Sequence, residues 1–264
     1  MDVLRKLSEL TASQWGMVTT AQAAARGISR MQLSRLAKEG QIERLGHGVY
    51  HDAGAPTDRL TGVKAAWLST DPTRIAEERL LAPSPDAVVS GATAAYVLDL
   101  GDLVPEPYEF TTPNRRQTQR DELVFHMKKL APQSVTIRDG LPVTTPEQTI
   151  ADLIERRMDK TLVAGVFADV SSFDRQWLVD LLAPLALRNG FRHNDGEAFC
   201  ADLEKLAHRD VDSLVRLLSP TLVGAELAKR YLVESDSMVI DGIFSVDPAL
   251  TKHISQLVTA AKGL

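Results

Sequence analysis

The chain has 264 residues, of which 44% are hydrophobic, and its 30 Lys and Arg are outnumbered by 35 Asp and Glu. The hydrophobic content excludes an intrinsically disordered protein, and no apolar run approaches the roughly 18 residues that a membrane-spanning helix needs. The acidic balance excludes a protein that coats DNA without specificity, since such proteins are basic throughout. The single Cys200 cannot form an internal disulfide, so we expect a protein of the reducing cytoplasm. We also expect no membrane partner.

A winged helix-turn-helix is predicted for residues 15–52, after a lead-in helix over Val3–Leu10. Thr20 is expected to cap a short helix. That helix ends at Gly27, because glycine readily adopts the left-handed backbone that a sharp turn between helices requires. Ser29 is then predicted to cap a second helix. Two caps and a turn in this order indicate a DNA-binding module, although a similar module also serves for docking proteins.

The second helix, predicted from Arg30 to about Lys38, is the element that reads DNA in this architecture. Two extended runs on either side of Gly46-His47-Gly48 predict a hairpin, the wing. In the major groove an arginine binds a guanine edge, and a methionine suits a thymine methyl group. An ordinary solvated helix face is the alternative. The residues expected to contact DNA are Thr20, Ser29, Arg30, Met31, Gln32, Ser34, Arg35 and Lys38, with Arg44 and His47 on the wing.

Charge is distributed unevenly along the chain. Residues 1–52 contain seven Lys and Arg against five Asp and Glu, a balance of +2 that leaves −7 for the remainder. A basic N-terminal part on an acidic body favours a specific repressor whose body has another task. The remaining exposed basic cluster is expected at Arg115 and Arg116, in a polar loop. It is either a solvated loop, a second contact to the DNA backbone or a patch that faces a toxin.

The rest of the chain predicts an α+β protein, in which the winged helix is followed by a mixed α/β domain that continues into a helical bundle. A linker at 53–56 places the domain boundary after residue 54, with 55–264 as the second domain, α/β to about 158 and helical from about 159. Strands are predicted over 87–89, 108–112 and 123–128, and a hairpin with an Asp-Gly turn over 135–144. Helices are predicted over 58–68, 72–81 and 91–98.

Capping signals predict where the later helices begin. Asp71 and Pro72 are expected as the cap and first residue of one helix. Thr145, with a proline next to it and Gln148 three residues on, predicts a capping box for another. Further helices are expected to begin at Asp174, Asp195, Asp210 and Asp247.

Three segments of the chain resemble a known family. They are the winged helix, from Val18 to Tyr50, the helix start at 89–96, and the strand that leads into a helix at 141–153. In combination they are similar to the AbiEi antitoxins of bacterial abortive-infection toxin–antitoxin pairs. The resemblance covers residues 15 to about 153.

The resemblance implies a protein with two tasks in phage resistance. Its N-terminal domain would bind inverted repeats in its own promoter and repress the operon. Its C-terminal domain would counter a toxin of the nucleotidyltransferase type, and direct contact between the two proteins is left open. The functional alternative from another class is a repressor whose body senses a small effector.

A catalytic body is not expected. A restriction-type nuclease needs an acidic residue and an acidic-x-Lys pair on neighbouring strands to hold Mg²⁺, and the sequence has no such pair. The histidines have no Cys or carboxylate at ligand spacing. There is no glycine-rich phosphate loop and no Gly-x-Ser-x-Gly motif. We therefore expect no enzyme, no metal and no cofactor.

Overall fold

The computed structural model describes residues 3–218, with side chains as far as residue 207. The protein has an α+β fold, as the sequence predicts. Residues up to Cys200 form one compact unit, and a second begins at Ala201. The helix predicted to begin at Asp247 lies outside the described residues.

The N-terminal part has the element order of a winged helix-turn-helix. Its elements are α1 (Val3–Thr11), β1 (Met17–Thr19), α2 (Thr20–Ala25), α3 (Arg30–Lys38), β2 (Ile42–Gly46) and β3 (Val49–Asp52). The strands form an antiparallel sheet in the order β1-β3-β2, which the helices cover with a small core. Leu7, Leu10, Ile28, Leu33 and Leu36 are among the buried side chains of this core.

The remainder of this unit, residues 53–200, is called the body here. Its elements are α4 (Thr61–Thr70), α5 (Ala76–Leu80), β4 (Val88–Val89), α6 (Gly91–Leu98), β5 (Tyr108–Thr112), β6 (Leu123–Met127), β7 (Val135–Arg138), β8 (Leu141–Thr144), α7 (Pro146–Glu155), α8 (Lys160–Ala168), α9 (Arg175–Leu182) and the start of α10 (Gly196–Leu218). The strands form a mixed sheet in the order β6-β5-β4-β8-β7. Among the described residues, no helix combines the length and apolar composition needed to span a membrane.

Several predicted helix starts were wrong. The helix expected from Pro72 begins at Ala76, with Ile75 as its N-cap. The Asp71 carboxylate instead accepts hydrogen bonds from Thr73. The start expected at Asp210 lies inside the continuous helix α10. The start expected at Asp195 is correct, since α10 begins at Gly196 and the Asp195 carboxylate accepts from the Ala198 N–H at 3.0 Å.

The start of α7 also differs from its capping signal. Thr145 is the N-cap residue, but its side chain makes no capping hydrogen bond. Gln148 accepts a hydrogen bond from the Ser134 hydroxyl at 3.0 Å and donates one to Asp152 at 2.8 Å. Gln148 therefore ties α7 to the segment before β7 instead of closing a capping box.

The winged helix and the body share a hydrophobic core. Met17 of β1 and Val49 of β3 lie in the same cluster of buried side chains as Trp67 of α4. Trp15 packs edge to face on Trp67 with the ring centroids 6.2 Å apart, an arrangement that contributes about 0.5–1.5 kcal/mol beyond its buried area. The predicted domain boundary after residue 54 cuts through this core. That residues 1–54 form an independent domain stays a prediction.

A buried pair of glutamines fixes the winged helix on the body. The amides of Gln14 and Gln22 exchange hydrogen bonds of 2.8 and 3.2 Å. Gln14 Oε1 also accepts from the backbone N–H of Ala76 at 3.1 Å. Gln22 Nε2 donates to the carbonyl of Arg74 at 2.8 Å. Since an unpaired buried amide costs about 1–3 kcal/mol, this network strongly favours one orientation of the two parts.

Gly91, at the start of α6, is a position where only glycine fits. Its φ is +60°, and a Cβ there would overlap the Arg156 guanidinium and the Glu109 carboxylate. We expect Gly91→Ala to lower the free energy of unfolding by about 1–3 kcal/mol. Gly165 in α8 is the matched control, because no described atom lies within 4 Å of its added Cβ. Gly165→Ala should stabilise the protein by about 0.5–1 kcal/mol. Urea denaturation measures both, and a Gly91→Ala protein as stable as the wild type would contradict the described geometry.

Candidate nucleic-acid interface

The second helix of the predicted motif, α3, forms with the expected caps. Ser29 is its N-cap, and its hydroxyl accepts from the Gln32 backbone N–H at 3.2 Å. The Gln32 side chain accepts from the Ser29 N–H at 2.8 Å, which completes a capping box. Glu39 is the C-cap, and Gly40 follows with a φ of +72°. The helix therefore begins and ends where its sequence predicts.

The apolar face of α3 is buried and its polar face is open to solvent. Leu33 and Leu36 are 0% and 7% exposed and pack against the preceding helices, whereas Met31 is 81% exposed. Arg35 pairs with Glu39 at 3.2 Å on the surface, an arrangement worth little energy. An exposed methionine among cations is compatible with an apolar contact to a base. The predicted contact residues of α3 and its cap that are exposed are Ser29, Arg30, Met31, Gln32, Ser34, Arg35 and Lys38.

The two residues predicted as helix N-caps, Thr20 and Ser29, have different outcomes in the structure. The N-cap of α2 is Thr19 and not Thr20, and Thr19 forms its capping box with Gln22. Thr20 is the first residue of α2, and its hydroxyl donates to the Gly48 carbonyl at 3.2 Å. It thereby joins α2 to the wing. As contacts to DNA, Thr20, Ser29 and the other residues of this set stay predictions.

The wing places Arg44 and His47 at the surface. Arg44 Nε donates to the Gly46 carbonyl at 3.2 Å, so the side chain lies along the hairpin. The strands β2 and β3 shift register between Arg44 and Gly46, which marks an irregularity at the tip. His47 is adjacent in space to the loop between β5 and β6, since both line one open cleft.

The two arginines of that loop differ in their surroundings. Arg115 is exposed. Arg116 is partly buried, and it donates to the Thr70 carbonyl at 2.9 Å and lies 3.8 Å from Asp86. Arg116 thus anchors the loop to α4, a task that its sequence did not reveal. A second basic contact through Arg115 and Arg116, to the DNA backbone or to a toxin, stays a prediction.

The chain also forms a charged cluster that the sequence did not indicate. Glu109 accepts hydrogen bonds from His126 Nε2 at 2.9 Å and from the guanidinium of Arg156. Its other oxygen accepts from the backbone N–H of Ala92 at 3.1 Å. Burial raises the pKa of Glu109, but the hydrogen bond of His126 and the charge of Arg156 outweigh it, so the pKa lies below its ordinary value. Ser90 is the N-cap residue of α6, but its hydroxyl makes no capping hydrogen bond and accepts from Arg156 at 3.1 Å.

This cluster is occupied by its own internal contacts. Both oxygens of Glu109 are engaged, and the Lys128 ammonium bridges Asp152 at 3.0 Å and Glu155 at 2.7 Å. Within residues 3–207, no group of three or more His, Cys, Asp or Glu side chains is placed to hold a metal ion. The cluster members come from four segments, the start of α6, β5, β6 with the residue after it, and α7 with its C-cap, so no local spacing could have predicted it. It joins β5, β6 and α7 as a structural element.

Comparison with known proteins bears on the N-terminal part of the chain. Residues 5–50 match the model of a family described as "Transcriptional regulator, AbiEi antitoxin". The resemblance to the AbiEi antitoxins is confirmed. The AbiEi match runs from α1 into β3 and covers the capping boxes, α3 and the tip of the wing. This part of the chain is therefore similar to AbiEi transcriptional regulators.

Two further comparisons were made with the whole chain. The crystal structure of the RV2827C protein from Mycobacterium tuberculosis aligns with a TM-score of 0.49 and 16% sequence identity. The alignment covers 78% of this chain and 76% of that chain. No curated protein has a significant match to this chain.

The capping box of α3 distinguishes Ser29, which caps the helix, from Ser34, which lies on its exposed face. We expect Ser29→Ala to lower the free energy of unfolding by about 1 kcal/mol, because the N-terminus of α3 loses its acceptor. Ser34→Ala, on the exposed face of the same helix, should leave it unchanged or slightly raised. Ser29→Asp, which retains a capping acceptor, should restore stability. Urea denaturation followed by circular dichroism compares the three, and equal stability of the two alanine variants would contradict the capping role.

Proposed function

We propose that the chain is an antitoxin that also represses its own operon, by binding inverted repeats in the promoter through its winged helix. The exposed face of α3 carries this proposal. Arg30, Arg35 and Lys38 lie on that face, next to a wing, in a segment that matches AbiEi transcriptional regulators. An arginine presents paired donors that match the O6 and N7 acceptors of guanine in the major groove of duplex DNA.

The charge distribution supports specific rather than general binding. The balance of +2 over residues 1–52 against −7 elsewhere directs DNA towards α3 and the wing and away from the body. Because the target is promoter DNA, we place the protein in the bacterial cytoplasm. The proposal requires no cofactor, no membrane and no catalysis.

We propose further that the body counters a toxin of the nucleotidyltransferase type. Support comes from the two body segments that resemble AbiEi antitoxins, residues 89–96 and 141–153, which are neighbours in space. Val89 of β4 pairs with Val143 of β8 in parallel, and α6 packs on α7. A stable complex between antitoxin and toxin is not required by this proposal.

Substitutions on α3 test the DNA-reading role. We expect Arg30→Ala or Arg35→Ala to weaken binding to the cognate promoter by about 1–3 kcal/mol, with little change on unrelated duplexes. Lys38→Ala should weaken binding to all duplexes and flatten the salt dependence by about one unit. Fluorescence anisotropy over a range of salt concentrations measures both effects.

Glu39→Gln is the matched control for Arg35. It breaks the same surface ion pair but keeps the Arg35 charge, so binding should be unchanged or slightly tighter. Equal, sequence-independent losses at all three cations would contradict base reading by α3. In cells that express a nucleotidyltransferase toxin, the Arg35→Ala protein should still restore growth. Loss of both growth rescue and repression in this variant would contradict the assignment of repression to the winged helix and of toxin neutralisation to the body.

Two copies are expected on each inverted repeat. A single module covers only about 600–1,000 Å² of protein surface, and few cations are available on α3 and the wing. One copy should therefore bind weakly, and two should occupy half-sites one or more helical turns apart. The acidic bodies favour weak or negative coupling between the copies. Footprinting and native mass measurement test this, and one protein per duplex at saturation would contradict it.

A further inference from the structure

An open cleft of about 420 Å³ lies between the tip of the wing and the body. Here it is called the wing cleft. Its volume falls within the range of roughly 300–1,000 Å³ that is usual for small-molecule sites. It is formed by the wing tip, the end of α4, the loop between β5 and β6, and β6 itself. The residues that determine its chemistry are His47, Ser69, Thr70, Arg116, Arg120 and Phe125.

The two arginines of the wing cleft are held in place before any ligand binds. Arg116 Nη1 donates to the Thr70 carbonyl at 2.9 Å, and its guanidinium lies 5.9 Å from the Phe125 ring centroid. Arg120 Nη2 donates to the Ser69 hydroxyl at 2.8 Å. Guanidiniums fixed in this way lose less conformational freedom on binding an anion than mobile surface arginines do.

The wing cleft has an excess of positive charge. Asp86 is 3.8 Å from Arg116, but its other oxygen already accepts two hydrogen bonds from the buried Arg79, at 3.2 and 3.1 Å. One carboxylate therefore serves two guanidiniums. Glu122 lies 3.7 Å from Arg120 and its side chain is 51% exposed, so solvent screens that pair. Burial lowers the pKa of Arg120 and the charge of Glu122 opposes this, so a bound anion would offset the cost of burying this arginine.

The chemistry of the wing cleft matches a phosphate group. Paired guanidiniums bind phosphate oxygens through charge-assisted hydrogen bonds. Phe125 adds an aromatic side chain to the lining of the wing cleft, which a planar ring can contact. We propose that the wing cleft binds a small phosphorylated molecule of the size and class of a nucleoside monophosphate.

The shape of the site favours a small ligand over a DNA backbone phosphate, although the two share this chemistry. The wing cleft is concave, whereas a rigid duplex contacts side chains that project from the surface. A ligand here contacts both the wing and the body. A small ligand in the wing cleft would be an effector of the kind that a ligand-responsive repressor binds. The site itself does not depend on the proposed DNA binding.

Side-chain NMR of the full chain tests the proposal. Adenosine monophosphate, and separately inorganic phosphate, are titrated at constant ionic strength set with chloride. The imidazole of His47 and the ring of Phe125 should shift and saturate, while His126, in the cluster with Glu109, should not. The nucleotide should bind more tightly than inorganic phosphate because its base adds contacts to the lining, including Phe125. Arg120→Gln should weaken its binding by about tenfold or more, the loss of one charge-assisted contact.

Two further variants keep the test independent of folding. Gln117→Glu adds a negative charge on an exposed lining residue and should weaken nucleotide binding in a protein of normal thermal stability. Arg138→Gln removes an exposed arginine on β7, which pairs with the adjacent Asp139, and should leave nucleotide binding unchanged. Absence of saturable shifts, or equal affinity in all three variants, would overturn the proposal. One combined result would also overturn the proposal. In it, the promoter duplex shifts the NMR signals of Phe125 while the nucleotide does not, and Arg120→Gln flattens the salt dependence of DNA binding.

Discussion

Trp67 is fully buried, and its indole contacts both parts of the compact unit. Its ring packs on Trp15 of the winged helix in a T-shaped arrangement, while its Nε1 donates to the carbonyl of Ala87, just before β4, at 2.9 Å. The Arg79 guanidinium stacks 3.6 Å from the ring centroid and donates to the Trp67 carbonyl. Replacing a tryptophan in such a site by alanine typically costs about 3–5 kcal/mol. This contact, with the Gln14–Gln22 pair, holds the winged helix and the sheet in one orientation.

That orientation determines what surrounds the exposed face of α3. Because the winged helix is fixed on the body, His47 lies beside Arg116 and Arg120, and the wing cleft is a property of the two parts together. The acidic charge of the body is equally fixed relative to α3. In the proposed function, duplex DNA approaches α3 and the wing in the field of the compact unit that ends at Cys200, which favours a limited set of docking geometries. A ligand that binds in the wing cleft contacts the wing directly.

The sequence predicted correctly those elements that depend on contacts between residues close together in the chain. The caps of α3 and the hairpin of β7 and β8 are correct, since Asp139 and Gly140 have the positive φ that their turn demands. Features that depend on distant pairing were missed. The choice of Thr19 over Thr20 as a cap follows from β1 pairing with β3, and Ser90 finds its partner 66 residues away. The exposure of α3 was predictable by its periodicity, but the anchoring role of Arg116 was not.

Hydrogen exchange on the full chain tests most directly whether the winged helix and the body behave as one cooperative structure. The informative amides lie in β1 and β3 of the winged helix and in β4 and β8 of the body. The shared core predicts that the most protected amides of both sets open with the same free energy and the same dependence on denaturant, as in global unfolding. Exchange of the β1 and β3 amides through a separate opening of clearly lower free energy, while β4 and β8 stay protected, would contradict the account.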